Sequence, residues 1–377
     1  MHLAIDASRA TLARRTGTEN YALQLIRAVI GAARPEDRLT LYFRDAPAPN
    51  LLPAPPNVSQ RILPARRAWT HTRFAAAASR DKPDFIFVPA HTLPFVFRGH
   101  AAVTVHDLGY RFFPQAHPLK ERLYLELTTR FSAWRANIIF ADSEATKRDL
   151  MAQYGTPARK IEVVYPGVAD IQRASLDEIR TVREKYRLPE RYVLFLGTLQ
   201  PRKNIARLCA AFAEYLAQSG DGELALCLAG QSGWLLNVER DILPQLPEAA
   251  RQRIIITGYV ADNEVAPLYS GSACLAFPSL YEGFGFPVVE AMRCGTPVVC
   301  SETSSLAELA GDAAITVNPM EVAAIRDGIG RVLGDPALRE ALIQRGYAQS
   351  AKFTWENAAT SVLRAFRAAL KANPRTQ

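Results

Sequence analysis

Two doubly wound parallel sheets, each covered by helices on both faces, are the α/β fold that this sequence predicts. Apolar runs of four to six residues alternate with amphipathic stretches along the chain, which is how buried parallel strands and their crossover helices read. The 377 residues suffice for two domains of roughly 150 to 200 residues, each able to bury its own core. With 49% apolar and 22% charged residues, the composition is that of a globular chain and argues against disorder.

In the first half the apolar runs predict strands at Leu3–Ile5, Leu39–Phe43, Phe85–Val88, Ala102–Val105, Ile138–Ala141 and Ile161–Val164. Between them, Tyr21–Ala32 and Leu119–Arg135 have helical period, and a Pro-rich loop runs from Pro47 to Pro56. Pro166-Gly167-Val168-Ala169 marks a break, so a first domain is expected over 1–168 and a second over 169–356. A charged helix then leads into strands at Tyr192–Leu196, Leu224–Ala229, Ile254–Thr257, Ala273–Phe277, Val298–Cys300 and Ala314–Val317. A last amphipathic helix occupies 357–377; by position alone it caps the second domain.

No apolar run reaches a membrane-spanning length and the start lacks a signal-peptide pattern, so a cytoplasmic protein is expected. Five cysteines without CxxC spacing read as buried reduced thiols, and all six histidines lie at or before His117, which disfavours a metal centre in the second half. The net charge of +8 is uneven: residues 1–170 hold 23 basic and 15 acidic side chains, residues 171–377 hold 22 of each. No nucleic-acid-binding motif accompanies that surplus, so nucleic acid is not an expected partner. Its densest part, Arg61 to Arg80, carries Arg61, Arg66, Arg67, Arg73 and Arg80 with Trp69 and Phe74 interleaved. Basic and aromatic residues together suit peripheral contact with an anionic membrane, for instance its inner face; a solvated basic surface is the alternative.

Ligands of open parallel sheets bind outside the carboxyl ends of the strands, so the cleft between two facing sheets is the expected site. Four loops leaving such ends carry chemistry. The richest reads Phe277-Pro278-Ser279-Leu280-Tyr281-Glu282-Gly283-Phe284-Gly285-Phe286-Pro287-Val288-Val289-Glu290. Pro287 suits the first turn of a helix, whose free N–H groups favour a phosphate, and Gly283 and Gly285 let a ligand approach the main chain. Glu282 and Glu290 beside such an anion site make sense as acceptors for sugar hydroxyls; otherwise Glu290 is a solvated helix residue. In the second loop, Gly197-Thr198-Leu199-Gln200-Pro201-Arg202-Lys203-Asn204, adjacent Arg202 and Lys203 can clamp a diphosphate, and Asn204 reads as an N-cap. A bare Arg-Lys pair is usually only a surface patch, but this one shares a sheet with the Glu-rich loop.

The third loop follows the first strand and leads through Arg15 and Thr16 to Gly17, Asn20 and Tyr21; lacking GxGxxG, it argues against a dinucleotide oxidoreductase. Gly17 offers an N–H to an anion, or simply begins a helix. The fourth is Ala102-Val103-Thr104-Val105-His106-Asp107, a buried strand delivering a His-Asp pair at its end, with His91 a weaker version of the same signal.

Together these loops resemble glycosyltransferase family 4, retaining enzymes of the two-Rossmann-domain GT-B fold. The pattern of Glu, seven residues and Glu is met by Glu282 and Glu290, joined in the family's order by GTLQPRKN, ITGYV and VHD. The TGxxxY of the first loop and GYV before the Glu motif look most like bacterial mannosyltransferases of surface polysaccharides; Asn20, where that group commonly has a basic residue, departs from the pattern.

The resemblance implies an N-terminal acceptor-binding domain and a C-terminal domain for a nucleotide-sugar donor, with the last helix packing back on the first. It implies that Arg202 and Lys203 neutralise the donor diphosphate and that Glu290 holds the ribose. Glu282 and the amides of Gly283, Phe284 and Gly285 would grip the sugar, with Gly197, Val288 and Val289 lining the donor site. Tyr259 and Val260 would flank the base, His106 would touch the transferred sugar, and Gly17 would reach the diphosphate. GDP-mannose is the first donor expected, a UDP-sugar the second, and a glycan or polyprenyl-diphosphate-linked glycan the acceptor. No cofactor is implied, and the lack of a DxD pattern agrees with metal independence. An epimerase or phosphorylase on the same fold, or a non-catalytic nucleotide-sugar-binding regulator, are the rivals.

Overall fold

The computed structural model describes residues 1–11, 17–116, 118–233 and 235–372; Arg15, Thr16 and His117 lie outside them, as do positions 373–377 of the helix expected over 357–377. The chain forms two compact units, one of Met1–Gly167 with Phe353–Gln377, the other of Val168–Lys352.

Unit 1 contains β1 (His2–Asp6), β2 (Arg38–Phe43), β3 (Val58–Ile62), β4 (Phe85–Val88), β5 (Ala101–Val105), β6 (Ile138–Ala141) and β7 (Ile161–Val163), all parallel, in the order β3-β2-β1-β4-β5-β6-β7. The side-chain period of two divides each strand between the faces: Leu3 and Ile5 join one core, Ala4 the other. The sequence reading gives six strands here. It passes over β3, Val58-Ser-Gln-Arg-Ile62, because a mostly exposed edge strand has no apolar run to betray it.

The last helix belongs to unit 1 and does not cap the second domain. It spans Trp355–Ala372, two residues earlier than the pattern suggests, and the chain rejoins unit 1 at Phe353. Ala358, Ala359, Val362, Leu363 and Phe366 recur at helical spacing and are buried in the core of β1, β2 and β4, where the Phe366 ring meets Phe85 and Phe87 at 5.2 and 5.7 Å. Arg367 anchors it further by donating to Asp37 at 2.8 Å.

Unit 2 contains β8 (Tyr192–Leu196), β9 (Ala225–Ala229), β10 (Ile254–Gly258), β11 (Cys274–Phe277), β12 (Val298–Ser301) and β13 (Ile315–Val317), parallel and ordered β10-β9-β8-β11-β12-β13. The strand order reverses between β8 and β11, and in unit 1 between β1 and β4. Loops at these switch points diverge, leaving the crevice where doubly wound sheets bind ligands. All five cysteines are buried in unit 2; Cys209, Cys227, Cys274 and Cys300, packed in the core, have thiols pushed up to about 12 by burial.

The Arg61–Arg80 segment does not present its aromatics. Trp69 and Phe74 are buried and stacked at 5.5 Å, with the Trp69 indole donating to Leu63 O at 2.6 Å, and Arg61 pairs with Asp81 at 2.6 Å. What faces solvent is a basic surface of Arg66, Arg67, Arg73 and Arg80.

Candidate active site

The switch point of unit 2 brings the two loops predicted to hold an anion into direct contact. Adjacent strands β8 and β11 deliver them, and Leu280 N donates to Arg202 O at 2.9 Å, zipping the loops together. At their junction Glu282 is clamped by Lys203 Nζ at 2.6 Å, Arg202 at 3.0 Å and Ser279 Oγ at 2.6 Å. Burial alone would raise the Glu282 pKa, but the two cations and the hydroxyl outweigh it and hold the carboxyl down at about 2. Lys203 also lies over the Phe277 ring at 4.9 Å, and Arg202 donates to Tyr281 O. Two cations against one carboxylate leave a net positive charge at a loop junction.

The sequence reading gives Arg202 and Lys203 to a ligand and Glu282 to another part of it; in the ligand-free chain these three are each other's partners. Asn204 also differs from its expected role. It stands at the N-cap position with φ +63°, but its side chain makes no cap; instead Nδ2 donates to Pro278 O at 3.0 Å and Pro319 O at 2.7 Å. It therefore ties the β8 loop to the loops after β11 and β13.

The backbone here allows no side chains at two places. Gly197 passes so close to Gly230 that a Cβ on Gly230 would lie 2.1 Å from Gly197 O. Gly285 has φ +122° at the start of the helix Phe286–Arg293, and a Cβ there would meet Leu306 at 2.5 Å. Pro287 occupies the first turn as expected. The Val288 amide is not free, since it donates to Gly285 O at 3.0 Å, and the Val288 and Val289 side chains are fully buried, so backbone alone could face a ligand there.

Glu290 is no solvated helix residue. It is half-buried, accepts from Tyr269 OH at 3.1 Å, and desolvation raises its carboxyl to about 7, with Asp262 adding to the shift against the Tyr269 bond. At the end of β10, Tyr259 is exposed and Val260 buried.

A second constellation stands in unit 1. His106 follows β5, but its partner is not the neighbouring Asp107, whose carboxylate accepts from Gly109 N at 2.6 Å. His106 Nδ1 donates instead to Asp142 Oδ2 at 2.7 Å, at the end of the adjacent strand β6. Burial opposes the charged imidazole, yet Asp142 outweighs it and the net shift is upward. The ring is fixed edge-on against Tyr21 at 4.6 Å, and Nε2 is buried with no hydrogen-bond partner among the described residues. An oriented imidazole with an idle nitrogen can donate to a ligand oxygen. His91 lies 5.3 Å away with its pKa lowered by burial to about 3, hence neutral. Gly17 begins the helix Gly17–Ala32, exposed and with nothing near its missing Cβ.

Two sets of positioning groups escape the sequence reading. Ser301, the last residue of β12, and Thr303, Ser304 and Ser305 after it hold the Glu282 loop: Ser301 Oγ donates to Ser279 O at 2.6 Å, Thr303 Oγ1 to Leu280 O at 3.4 Å and Ser305 Oγ to Glu282 O at 3.0 Å, and Ser304 Oγ accepts from Glu282 N at 3.0 Å. Asp142 is the other. Both follow a strand's carboxyl end, which is the signal that could have found them.

Two family models match the chain: Glycosyltransferase Family 4 over residues 15–170 and Glycosyl transferases group 1 over residues 178–349. O-antigen chain mannosyltransferase B of Escherichia coli is 33% identical over 93% of this chain and 96% of its own. O-antigen chain mannosyltransferase RfbU of Salmonella typhimurium is 25% identical over 61% of this chain and 59% of its own. Among solved structures, sucrose-phosphate synthase from Thermosynechococcus elongatus superposes with a TM-score of 0.75 at 22% identity, covering 99% of this chain and 100% of its own. HepE from Anabaena, solved with UDP and glucose, reaches a TM-score of 0.71 at 17% identity over 98% and 100%. Fold and relatives define the class, a glycosyltransferase with the GT-B architecture of two Rossmann-like domains. Within it the chain belongs to glycosyltransferase family 4.

Proposed function

We infer that this glycosyltransferase is a retaining, metal-independent hexosyltransferase that moves mannose from GDP-mannose to a glycan or lipid-linked acceptor during surface-polysaccharide synthesis. The observation that carries the reading is the Arg202–Lys203–Glu282 cluster at the switch point of unit 2, beside the helix that starts after Gly285. The names of the O-antigen mannosyltransferases supply mannose and the polysaccharide. UDP-sugars stand second because HepE was also solved with UDP-glucose.

In this mechanism the bond from the anomeric carbon to the diphosphate oxygen breaks as the acceptor oxygen bonds to that carbon on the same face. The departing phosphate oxygen takes the acceptor's proton, so configuration is retained without an enzyme nucleophile. Negative charge grows on the leaving diphosphate, where Arg202, Lys203 and the helix N-terminus stabilise it. Glu282, ionised at all working pH, accepts from hydroxyls of the sugar with the Gly283, Phe284 and Gly285 amides near it. Glu290 holds the ribose hydroxyls, backbone at Tyr259 and Val260 flanks the base, and His106, steered by Asp142, donates from Nε2 to the transferred sugar. In this reading unit 2 binds donor and unit 1 acceptor.

Thermal unfolding with a panel of nucleotide-sugars tests the donor, because a ligand of the folded state raises the midpoint by mass action. GDP-mannose should give the largest rise; a larger rise with UDP-sugars moves the donor to that class, and none with any nucleotide-sugar overturns the site.

A further inference from the structure

The helix Leu119–Arg135 is turned inside out. Its buried residues are Thr128, Thr129, Ser132 and Ala133, while Leu119, Leu123, Leu127 and Trp134 are 60%, 52%, 66% and 72% exposed. With about 3.6 residues per turn, these four and Arg130 fall within an arc of about 80°, a continuous apolar stripe on the solvent side. Phe95 and Val96, 49% and 70% exposed, extend it: the Phe95 ring meets Phe131 at 4.8 Å, and Phe131 meets Trp134 at 6.0 Å. Single exposed leucines are ordinary, but a contiguous row that large marks a surface with a partner.

Charge chooses the partner. Lys120, Arg130 and Arg98 are exposed around the row; of the helix's two acids, Glu126 is paired with Arg111 at 2.8 Å and Glu121 points about 160° away from Leu123 around the helix axis. The unit that carries the stripe has 27 basic and 15 acidic side chains, a surplus of +12. A second copy of the chain would set those cations against each other, whereas an anionic surface attracts them. Leucines and a tryptophan flanked by arginine and lysine are the composition of an interfacial helix, with apolar side chains in the acyl boundary and cations among the headgroups. Among the described residues no helix is long and apolar enough to cross a membrane, so the contact is made lying flat.

We propose that the face of Leu119, Leu123, Leu127, Trp134, Phe95 and Val96 seats the protein on an anionic lipid bilayer. The proposal does not depend on the identity of the donor or acceptor. Sedimentation of the full chain with vesicles of about one-third phosphatidylglycerol, against vesicles of phosphatidylcholine alone, tests it. Wild type should bind the anionic vesicles, and Leu123→Ser with Leu127→Ser should weaken binding about tenfold or more. Both residues are more than half exposed, so the thermal midpoint and nucleotide-sugar binding should not move. Arg66→Ala with Arg67→Ala, on the other basic surface, should retain most of the binding. Unchanged binding by the double Ser variant would overturn the proposal, as would a wild type that ignores anionic vesicles. So would a wild-type dimer that the double Ser variant turns into a monomer by light scattering, since the face would then belong to self-association.

Discussion

The two units share a fold and differ in charge. Unit 1 has the +12 surplus and all six histidines; unit 2 has 18 basic and 22 acidic side chains, a deficit of −4, and all five cysteines. Yet the cluster proposed to hold the diphosphate, Arg202 and Lys203, lies in the acidic unit. Under that proposal bulk charge is no guide to the diphosphate site. Two cations at a loop junction act over a few ångströms, while surplus charge on an exposed surface is screened beyond about 8 to 10 Å. The basic surface of unit 1 has to answer to a different partner, and its buried site is organised around one imidazole held by the Asp142 carboxylate rather than around two cations.

The largest effect that can break this comparison comes from unit 2. Arg202→Ala with Lys203→Ala should lower turnover by about a thousandfold or more through loss of leaving-group stabilisation. It should also destabilise the fold by about 3 to 5 kcal/mol, because Glu282 is left buried without a cation. Adding Glu282→Gln to the pair separates the two roles: stability should largely return while turnover does not. Recovery of both would mean the cluster is a structural ion pair and nothing more. Near-normal rates in the double variant would remove the diphosphate from this site altogether.

In unit 1 the expected effect is smaller. His106→Ala should cost about a hundredfold in kcat/KM by removing one hydrogen bond to the sugar. Asp142→Asn should keep the imidazole in place but lower its pKa, readable by NMR of the ring, since the carboxylate is what holds it up. The raised His106 pKa contributes stability that is fully present below 6.5 and is lost as pH rises through the folded value. In Asp142→Asn that slope should flatten. A histidine pKa that does not move would make Asp107 the effective partner and restore the pairing suggested by sequence adjacency.

That pairing shows where the sequence is legible and where it is not. Twelve of the thirteen strands among the described residues can be read from apolar runs, because a parallel strand buried on both faces leaves a continuous signal; β3 cannot, because an edge strand in solvent leaves none. The loops of unit 2 were legible because Gly, Pro, Glu and adjacent cations are unusual together. The interplay of Glu282 with Lys203, 79 residues away, and with the neighbouring Arg202 was not. Nor was the His106–Asp142 bond across 36 residues. Strand order decides both, and side chains that meet at the ends of neighbouring strands carry no trace of it in their own neighbourhood. The inverted helix has a related cause. Leu119–Arg135 has helical period, so sequence fixes its existence, but which face is buried depends on the neighbours.

The smallest effect, at Glu290, is also the one whose sign sorts a ligand contact from a packing role. With its folded pKa raised to about 7 from an ordinary 4.5, its contribution to stability is fully present below 4.5 and lost as pH rises through 7. Above that the folded chain carries a desolvated carboxylate that the unfolded chain hydrates. Glu290→Gln removes the charge and keeps an acceptor for Tyr269 OH, so its midpoint should equal wild type near pH 5 and exceed it by roughly 2 °C at pH 8. Donor affinity should fall about tenfold, about 1.4 kcal/mol, because an amide oxygen is a weaker acceptor for ribose hydroxyls than a carboxylate. A variant that loses midpoint at both pH values while binding donor normally would make Glu290 a structural residue. The half-buried carboxylate would then stabilise unit 2 through Tyr269 rather than a ligand.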